Sequence, residues 1–231
     1  MSAGRLLVIA AHADDDVLGC GATLSRRVRE GWDVRVVIMG EGISARYARE
    51  RITDPDVLAE VAARNEDGRR ACAVLGVHDM RIHDLPCCRF DSIDLIDLTK
   101  MVESEIVAFR PDVLLTHWGE DANVDHQQLF RAILPATRPG SPSDVAEIYS
   151  FEVLSSTEWA FHAAFRPDTY VAVEDADVER KVAALRAYPG ELRPFPHPRS
   201  EEGIRHLAAM RGSQVGIRCA EAFQLLRRVV R

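Results

Sequence analysis

The feature that most constrains the fold is an apolar strand that runs directly into a histidine and three acids. Residues 8–16 read Val-Ile-Ala-Ala-His-Ala-Asp-Asp-Asp. A strand tip is rigid, so a side chain just beyond it can be held to within about half an ångström. Three carboxylates beside an imidazole repel one another unless a cation lies among them. The run therefore predicts a metal site, and histidine with aspartate is a ligand set suited to zinc.

The next residues predict the first half of a βα unit. The small residues of 19–24 lead into a helical run at 25–29, and they let the chain turn tightly and the helix pack close to the sheet. These glycines do not form the GxGxxG fingerprint, and acids stand where a phosphate would bind. We therefore exclude nucleotide binding at this turn.

Strand-like and helical runs alternate along the chain, which predicts an α/β fold with a Rossmann-like, mostly parallel sheet flanked by helices. The predicted strands are residues 6–10, 33–39, 80–85, 113–116, 148–154 and 170–173. The predicted helices after residue 29 are 56–75, 92–109, 126–134, 178–188, 200–211 and 220–230. Two irregular stretches, 41–55 and 189–198, have the length of binding loops or lids.

Charge and composition exclude several classes of function. The net charge of −7 disfavours binding to nucleic acid or to an anionic membrane. No apolar run approaches the roughly 20 residues of a membrane span, and the N-terminus lacks the pattern of a signal peptide. Five cysteines without zinc-ribbon spacing indicate reduced thiols, and we interpret Cys87-Cys88 as a packing or loop pair. We expect a cytoplasmic protein, and the oligomeric state, a homo-oligomer included, stays open.

A second polar segment, residues 116–126, also follows a buried strand and precedes a helix. The carboxyl ends of parallel strands lie on one edge of a sheet, so the two segments can face each other. His12, Asp15 and His126 could then supply three ligands and leave one position open for water, which is a catalytic zinc arrangement. The alternative is that His126 caps its helix and that the acids are solvated.

These motifs resemble those of the PIG-L/LmbE-like zinc N-deacetylases, which remove acetyl from N-acetylglucosaminyl compounds. The family pattern Ala-His-Pro-Asp-Asp-Glu appears here as Ala-His-Ala-Asp-Asp-Asp at 11–16, and His-Pro-Asp-His appears as Asn-Val-Asp-His at 123–126. The resemblance continues through residues 64–66, 155–159, 197–200 and 220–223. It implies a single LmbE-like domain over 1–231, in which residues from about 150 to 231 complete the substrate pocket.

The resemblance also implies roles for the residues of the two motifs. His12, Asp15 and His126 match the ligands of one zinc ion per chain, although another divalent metal stays open. Asp14 matches the general base that takes a proton from the zinc-bound water. Asp125 matches a residue that orients a ligand histidine.

This chain departs from the family pattern at three positions. Ala13 replaces proline and loosens the turn, whereas Asp16 replaces glutamate and has a shorter reach. Asn123 stands where many members have a histidine thought to stabilise the tetrahedral intermediate. Asparagine can donate a hydrogen bond to an oxyanion but carries no positive charge. Either Asn123 acts more weakly, or His197 or His117 assists; the alternative for His197 is a surface histidine among packing prolines.

The resemblance implies that Arg64 matches a family arginine that contacts substrate, and we also assign substrate binding to His117, Trp118 and Arg199. For Arg64 the alternative is a surface salt bridge to Glu66 or Asp67, and for Trp118 it is packing at the strand end. Ser200, next to Arg199, is interpreted as a helix N-cap.

The sequence thus predicts a zinc-dependent N-deacetylase that hydrolyses the acetamide of an N-acetylglucosamine-type sugar, on a small molecule or nucleotide sugar. The altered positions 13, 16 and 123 motivate an alternative, a non-catalytic metal- or sugar-binding protein on the same fold. A zinc amidohydrolase that acts on a non-sugar amide is the third hypothesis.

Overall fold

A computed structural model describes residues 3–230 and contains one seven-stranded sheet. The strands are β1 (Arg5–Ala10), β2 (Asp33–Gly40), β3 (Asp79–Leu85), β4 (Val113–His117), β5 (Glu147–Phe151), β6 (Thr169–Ala172) and β7 (Ala220–Arg228). The α-helices are α1 (Asp15–Arg29), α2 (Pro55–Leu75), α3 (Leu95–Phe109), α4 (Val124–Ala136), α5 (Asp175–Leu185) and α6 (Glu201–Ser213). None of the helices in this described part is long and apolar enough to cross a membrane.

The strand order β3-β2-β1-β4-β5-β7-β6 confirms the predicted Rossmann-like architecture. Strands β1 to β5 are parallel, and β7 runs antiparallel between β5 and β6. The chain leaves β1 for β2 on one side and returns to pair β4 on the other side. Such a reversal opens a crevice at the carboxyl ends of the two strands, which is where open α/β sheets bind ligands.

The alternating side chains of β1 divide the core into two layers. Leu6 and Val8 pack with helices α1, α2 and α5, whereas Leu7 and Ile9 pack with α3 and α4. This is the period of two that a strand buried on both faces requires. Because both layers are filled, packing on both faces of the sheet holds the carboxyl end of the central strand β1 firmly in place.

Two predictions about secondary structure were wrong. Residues 220–230 form strand β7, not a helix, because main-chain pairing with β5 and β6 outweighs the helix-favouring composition of this segment. The small residues of 19–24 do not form a turn before the first helix, because α1 already begins at Asp15 and contains them. Gly19 lets this helix approach the sheet, since an added Cβ would lie 2.3 Å from the ring of Phe151.

A buried ion pair supports a kink in α1. Cys20 has non-helical dihedral angles (φ −147°, ψ 16°), which interrupts the helical hydrogen bonds around it. Glu221 of β7 accepts hydrogen bonds from the main-chain N–H groups of Ala22 and Thr23, and Lys181 of α5 donates to the carbonyl of Leu18. Lys181 Nζ also lies 2.6 Å from Glu221 Oε1. The pair thus supplies partners to main-chain groups that the kink leaves without them.

We expect Lys181→Met to lower the free energy of unfolding by about 3–5 kcal/mol, because it leaves a buried carboxylate without its cation. Urea denaturation measures this change. The matched control is Asp175→Asn, which breaks the exposed pair with Arg218 and should cost less than about 1 kcal/mol. Equal effects of the two substitutions would contradict a structural role for the buried pair.

Candidate metal centre and substrate cleft

Three buried side chains converge at the carboxyl ends of β1 and β4. Ligand atoms of His12, Asp15 and His126 all lie within 4.8 Å of one another. Asp15 Oδ2 is 3.1 Å from His126 Nε2 and 3.4 Å from His12 Nδ1. His126 Nε2 is fully buried and has no hydrogen-bond partner within residues 3–230. An orphaned ring nitrogen beside a carboxylate fits a bound cation, so these residues suit a metal ion.

The charges at this point also favour a cation. Burial alone would lower the pKa of both imidazoles, but the neighbouring carboxylates raise the pKa of His12 to about 10 and that of His126 to about 9. Burial alone would raise the pKa of Asp15, yet the imidazoles hold it well below its usual range. Without a metal ion, the carboxylates favour protonated, positively charged imidazoles. A divalent cation can supply this positive charge in place of the protons.

A carboxylate fixes the orientation of each histidine. Asp125 Oδ2 lies 2.8 Å from His12 Nε2, and Asp121 Oδ1 lies 3.1 Å from His126 Nδ1. Asp121 is held in turn by the hydroxyl groups of Ser156 and Thr157. These bonds leave His12 Nδ1 and His126 Nε2 facing Asp15. Such partners fix both the tautomer and the orientation of the rings.

Asp14 lies beside this cluster in a strained and strongly charged setting. Its φ of +114° is a conformation that residues other than glycine rarely adopt. Arg64 Nη2 and Arg199 Nη1 lie 3.1 Å and 3.0 Å from Asp14 Oδ2. Burial raises the pKa of this carboxyl group, and the two guanidinium groups oppose that rise. Two cations thus hold the carboxylate at one position.

The cluster opens into a polar cleft of about 190 Å³. Asp14, Arg46, Arg64, Asn123 and Arg199 line it, together with the metal-site residues. The proline-rich loop 189–198 contributes Glu191, whose carboxylate oxygens lie 3.1 Å from Arg64 Nη1 and 2.9 Å from Arg199 Nη1. The C-terminal part of the chain therefore forms one wall of the cleft.

Several residues assigned from the sequence reach this cleft. Arg64 is buried against the ring of Tyr188 and faces Asp14, so it does not form the alternative surface salt bridge. Asn123 lines the cleft while its side-chain oxygen accepts a hydrogen bond from the N–H of Asp125 at the start of α4.

Ser200 is the N-cap of α6, as predicted.

Three other residues assigned from the sequence do not line this cleft. His117 is fully buried and accepts a hydrogen bond from the N–H of Ala11. Its ring stacks on that of His126, with 3.7 Å between the ring centroids. Trp118 is buried and packs edge-on against Phe165. His197 is half-buried, accepts a hydrogen bond from the N–H of Arg199 and faces the ring of Trp159. His117 is fully buried and Trp118 is 7% exposed, and neither lines the cleft, so the assignment of these two residues to substrate contact stays a prediction.

Asp121, Glu191 and Arg46 belong to the site, and the sequence analysis did not single them out. Asp121 stands among other acids in residues 116–126, and nothing in that pattern distinguishes it. Glu191 and Arg46 come from the two irregular stretches, which were predicted only as binding loops or lids. Only the folded chain shows which of their side chains face the cleft.

Comparison with known proteins agrees with the two motifs. Residues 7–137 match the model of the family PIG-L, GlcNAc-PI de-N-acetylase. A 1D-myo-inositol 2-acetamido-2-deoxy-alpha-D-glucopyranoside deacetylase of Mycobacterium sp. (strain JLS) is 28% identical over 239 residues, which covers 85% of this chain and 77% of that protein.

Solved structures at lower identity share the fold. N,N'-diacetylchitobiose deacetylase from Pyrococcus horikoshii superposes with a TM-score of 0.72 at 20% identity, covering 96% of this chain and 84% of that one. The 4-carboxy-2-hydroxymuconate hydratase GalB from Pseudomonas putida KT2440 gives 0.73 at 21% identity, covering 100% and 98%. The architecture therefore accompanies more than one reaction, and it does not by itself decide the chemistry.

The family model covers more than half of the chain, and its match includes both motifs that carry the metal-site residues. The protein therefore belongs to the GlcNAc-PI de-N-acetylase (PIG-L) family, which confirms the resemblance seen in the sequence.

Proposed function

We propose that this protein is a zinc-dependent N-deacetylase that hydrolyses the acetamide of an N-acetylglucosamine-type sugar to the free amine and acetate. The observation that carries the proposal is the position of Asp14. Its carboxylate lies in the cleft beside the cluster of His12, Asp15 and His126, and two arginines hold it there. Deacetylases among the relatives support the same reaction.

In this proposal His12, Asp15 and His126 hold the metal ion. A divalent ion at these residues would supply Lewis acidity, which would lower the pKa of a bound water molecule towards about 7 and polarise a carbonyl oxygen. Asp14 accepts a proton from the attacking water and returns it to the leaving amine. The side-chain amide of Asn123 donates a hydrogen bond to the acetamide oxygen as negative charge develops on it.

The lining of the cleft supports a sugar as substrate. Among the lining residues, Gly42 and Cys87 are the ones without a strongly polar side chain, and the others offer donors and acceptors to hydroxyl groups. We propose a small-molecule substrate, since a protein of net charge −7 is poorly suited to a polyanion. The cytoplasmic location and the identity of the sugar stay predictions.

The hydratase on the same fold makes a different reaction the second candidate. Incubation of the zinc-loaded protein with a panel of N-acetylhexosamine compounds, free and nucleotide-linked, separates the two. Release of acetate supports the deacetylase. Failure to release it from any sugar, with one metal ion bound per chain, would favour a non-sugar amidase, a hydratase or a binding protein.

Asp14→Asn is expected to lower kcat by about 10²- to 10⁴-fold, because the amide cannot accept the proton of the attacking water. Metal content should stay at that of the wild type, since Asp14 is not among the predicted ligands. Acetate release and metal analysis measure both effects, with the exposed Asp91→Asn as control. Full turnover by Asp14→Asn would refute the mechanism.

Removal of the metal is expected to abolish acetate release and to lower the Tm, because the ion binds only the folded chain. Free zinc at 100 times its Kd should stabilise the stripped protein by about 2.7 kcal/mol. Calorimetry with and without zinc measures the gain. Asp15→Asn should lose the gain, and an equal gain in that variant would show that zinc binds elsewhere.

Asp121→Asn is expected to weaken zinc binding by about 10- to 100-fold, because the ring of His126 loses the carboxylate that orients it. Competition with a chromophoric chelator measures the affinity. Glu120→Gln is the matched control, since the neighbouring Glu120 is exposed and pairs with the exposed His162. The same affinity in both variants would contradict the positioning role of Asp121.

A further inference from the structure

Glu191 pairs with three guanidinium groups in the cleft. Its Oε1 lies 3.1 Å from Arg64 Nη1 and 3.4 Å from Arg46 Nη2, and its Oε2 lies 2.9 Å from Arg199 Nη1. These arginines come from separate parts of the chain, namely the irregular stretch 41–55, helix α2 and the residues just before α6. The fold therefore brings three cations to one carboxylate that has no part in the proposed deacetylation.

Other contacts hold two of these arginines in place. Arg64 Nη2 donates to the carbonyl oxygen of Ala13, and Arg199 Nε donates to Ser155 Oγ. Both guanidinium groups also pair with Asp14 on the side of the metal cluster. Because these contacts do not involve Glu191, we expect both groups to keep their positions when the carboxylate that they share is neutralised.

The main chain around Glu191 is also fixed. The N–H of Glu191 donates to the carbonyl oxygen of Tyr188 at 3.3 Å, and Tyr188 is almost fully buried. Further along the loop, the N–H of Arg193 donates to the carbonyl oxygen of Arg199 at 3.2 Å. The side chain of Glu191 is only 15% exposed. Backbone and side-chain contacts therefore both keep this carboxylate inside the cleft.

The three guanidinium groups form a site for an anion, and Glu191 fills it. Guanidinium groups bind the oxygens of carboxylates and phosphates with charge-assisted hydrogen bonds. Within residues 3–230 the ion pairs of these arginines are made to two carboxylates, those of Asp14 and Glu191. Without the charge of Glu191, Asp14 alone would face the three cations. An anionic group of a ligand could then bind where the carboxylate of Glu191 now lies.

We propose that Glu191 determines the specificity of the cleft by filling this anion site, so that the cleft selects an uncharged sugar and rejects one with a carboxylate or phosphate at that position. A neutral sugar can exchange hydrogen bonds with the paired charges, whereas an anionic group meets the like charge of Glu191. Glu191 acts through the arginines and is therefore a specificity-determining residue, not a catalytic one. The preference among substrates rests on the proposed deacetylation, but the anion site does not.

Sulfate binding to the zinc-loaded protein tests the anion site without any turnover. Glu191→Gln nearly preserves the shape of the side chain and removes its charge. Calorimetric titration at constant ionic strength should give a Kd for sulfate about tenfold lower in this variant than in the wild type, because hydrogen bonds to charged groups become available. Addition of Arg46→Gln should reverse much of this gain. The control Glu202→Gln changes the net charge equally at an exposed position outside the cleft lining and should keep the wild-type Kd.

Two binding results would overturn the proposal. One is a wild type that binds sulfate as tightly as Glu191→Gln, which means that Glu191 does not block the site. The other is an equal gain in Glu202→Gln, which means that only the net charge of the protein matters. Circular dichroism shows whether Glu191→Gln is folded, and Glu191→Ser offers a second variant that removes the same charge.

Turnover tests the consequence for substrate choice, with N-acetylglucosamine and its monophosphates at each hydroxyl group in turn as substrates. In Glu191→Gln the kcat/KM of at least one phosphorylated sugar, relative to that of the neutral sugar, should rise by about tenfold. A merely structural role of Glu191 would lower kcat/KM for all sugars alike, and unchanged ratios would refute the specificity role. Absence of acetate release from every form would refute the proposed deacetylation while leaving the sulfate test of the anion site intact.

Discussion

The architecture of the site follows from the need to compensate buried carboxylates. Asp14, Asp15, Asp121 and Asp125 are all almost fully buried within one cluster. A buried carboxylate is costly unless hydrogen bonds or opposite charge surround it. Asp14 has two arginines, and Asp121 and Asp125 have imidazole, main-chain and hydroxyl donors. Asp15 faces the ring nitrogens of the two histidines, and a cation between these three side chains would compensate its negative charge.

The fold supplies this cluster through one topological step. Because β1 pairs with both β2 and β4, the segments after β1 and β4 meet at the reversal point of the sheet. Helix α1 begins at Asp15 and must lie close to the sheet, which the small residues of 19–24 allow. Lys181 and Glu221 stabilise the kink in α1 by hydrogen bonds to its main-chain groups. The start of α1 thus depends on residues far away in the sequence.

The sequence predicted the parts of the site that are local. The acids and His12 follow a strand at once, so their place at the sheet edge could be derived from periodicity and chain direction alone. Strand β7 could not be predicted in this way, because its segment has a helix-favouring composition. The segment becomes a strand only through main-chain pairing with β5 and β6. The orientation of side chains at the end of β4 could not be derived either, because the adjacent residues His117 and Trp118 are both buried and adjacency in sequence does not reveal this.

The contributions to the cleft divide along the chain, and this division explains how one architecture can accompany different reactions. The predicted metal ligands and Asp14 come from the segments after β1 and β4, within the part that matches the family model. Arg199, from the C-terminal part, forms an ion pair with Asp14, and Glu191 from the same part pairs with Arg199. Substitutions in the C-terminal wall of the cleft change the side chains beside Asp14 without changing the strands that position the predicted metal ligands. Selectivity can therefore vary while the predicted metal ligands stay the same.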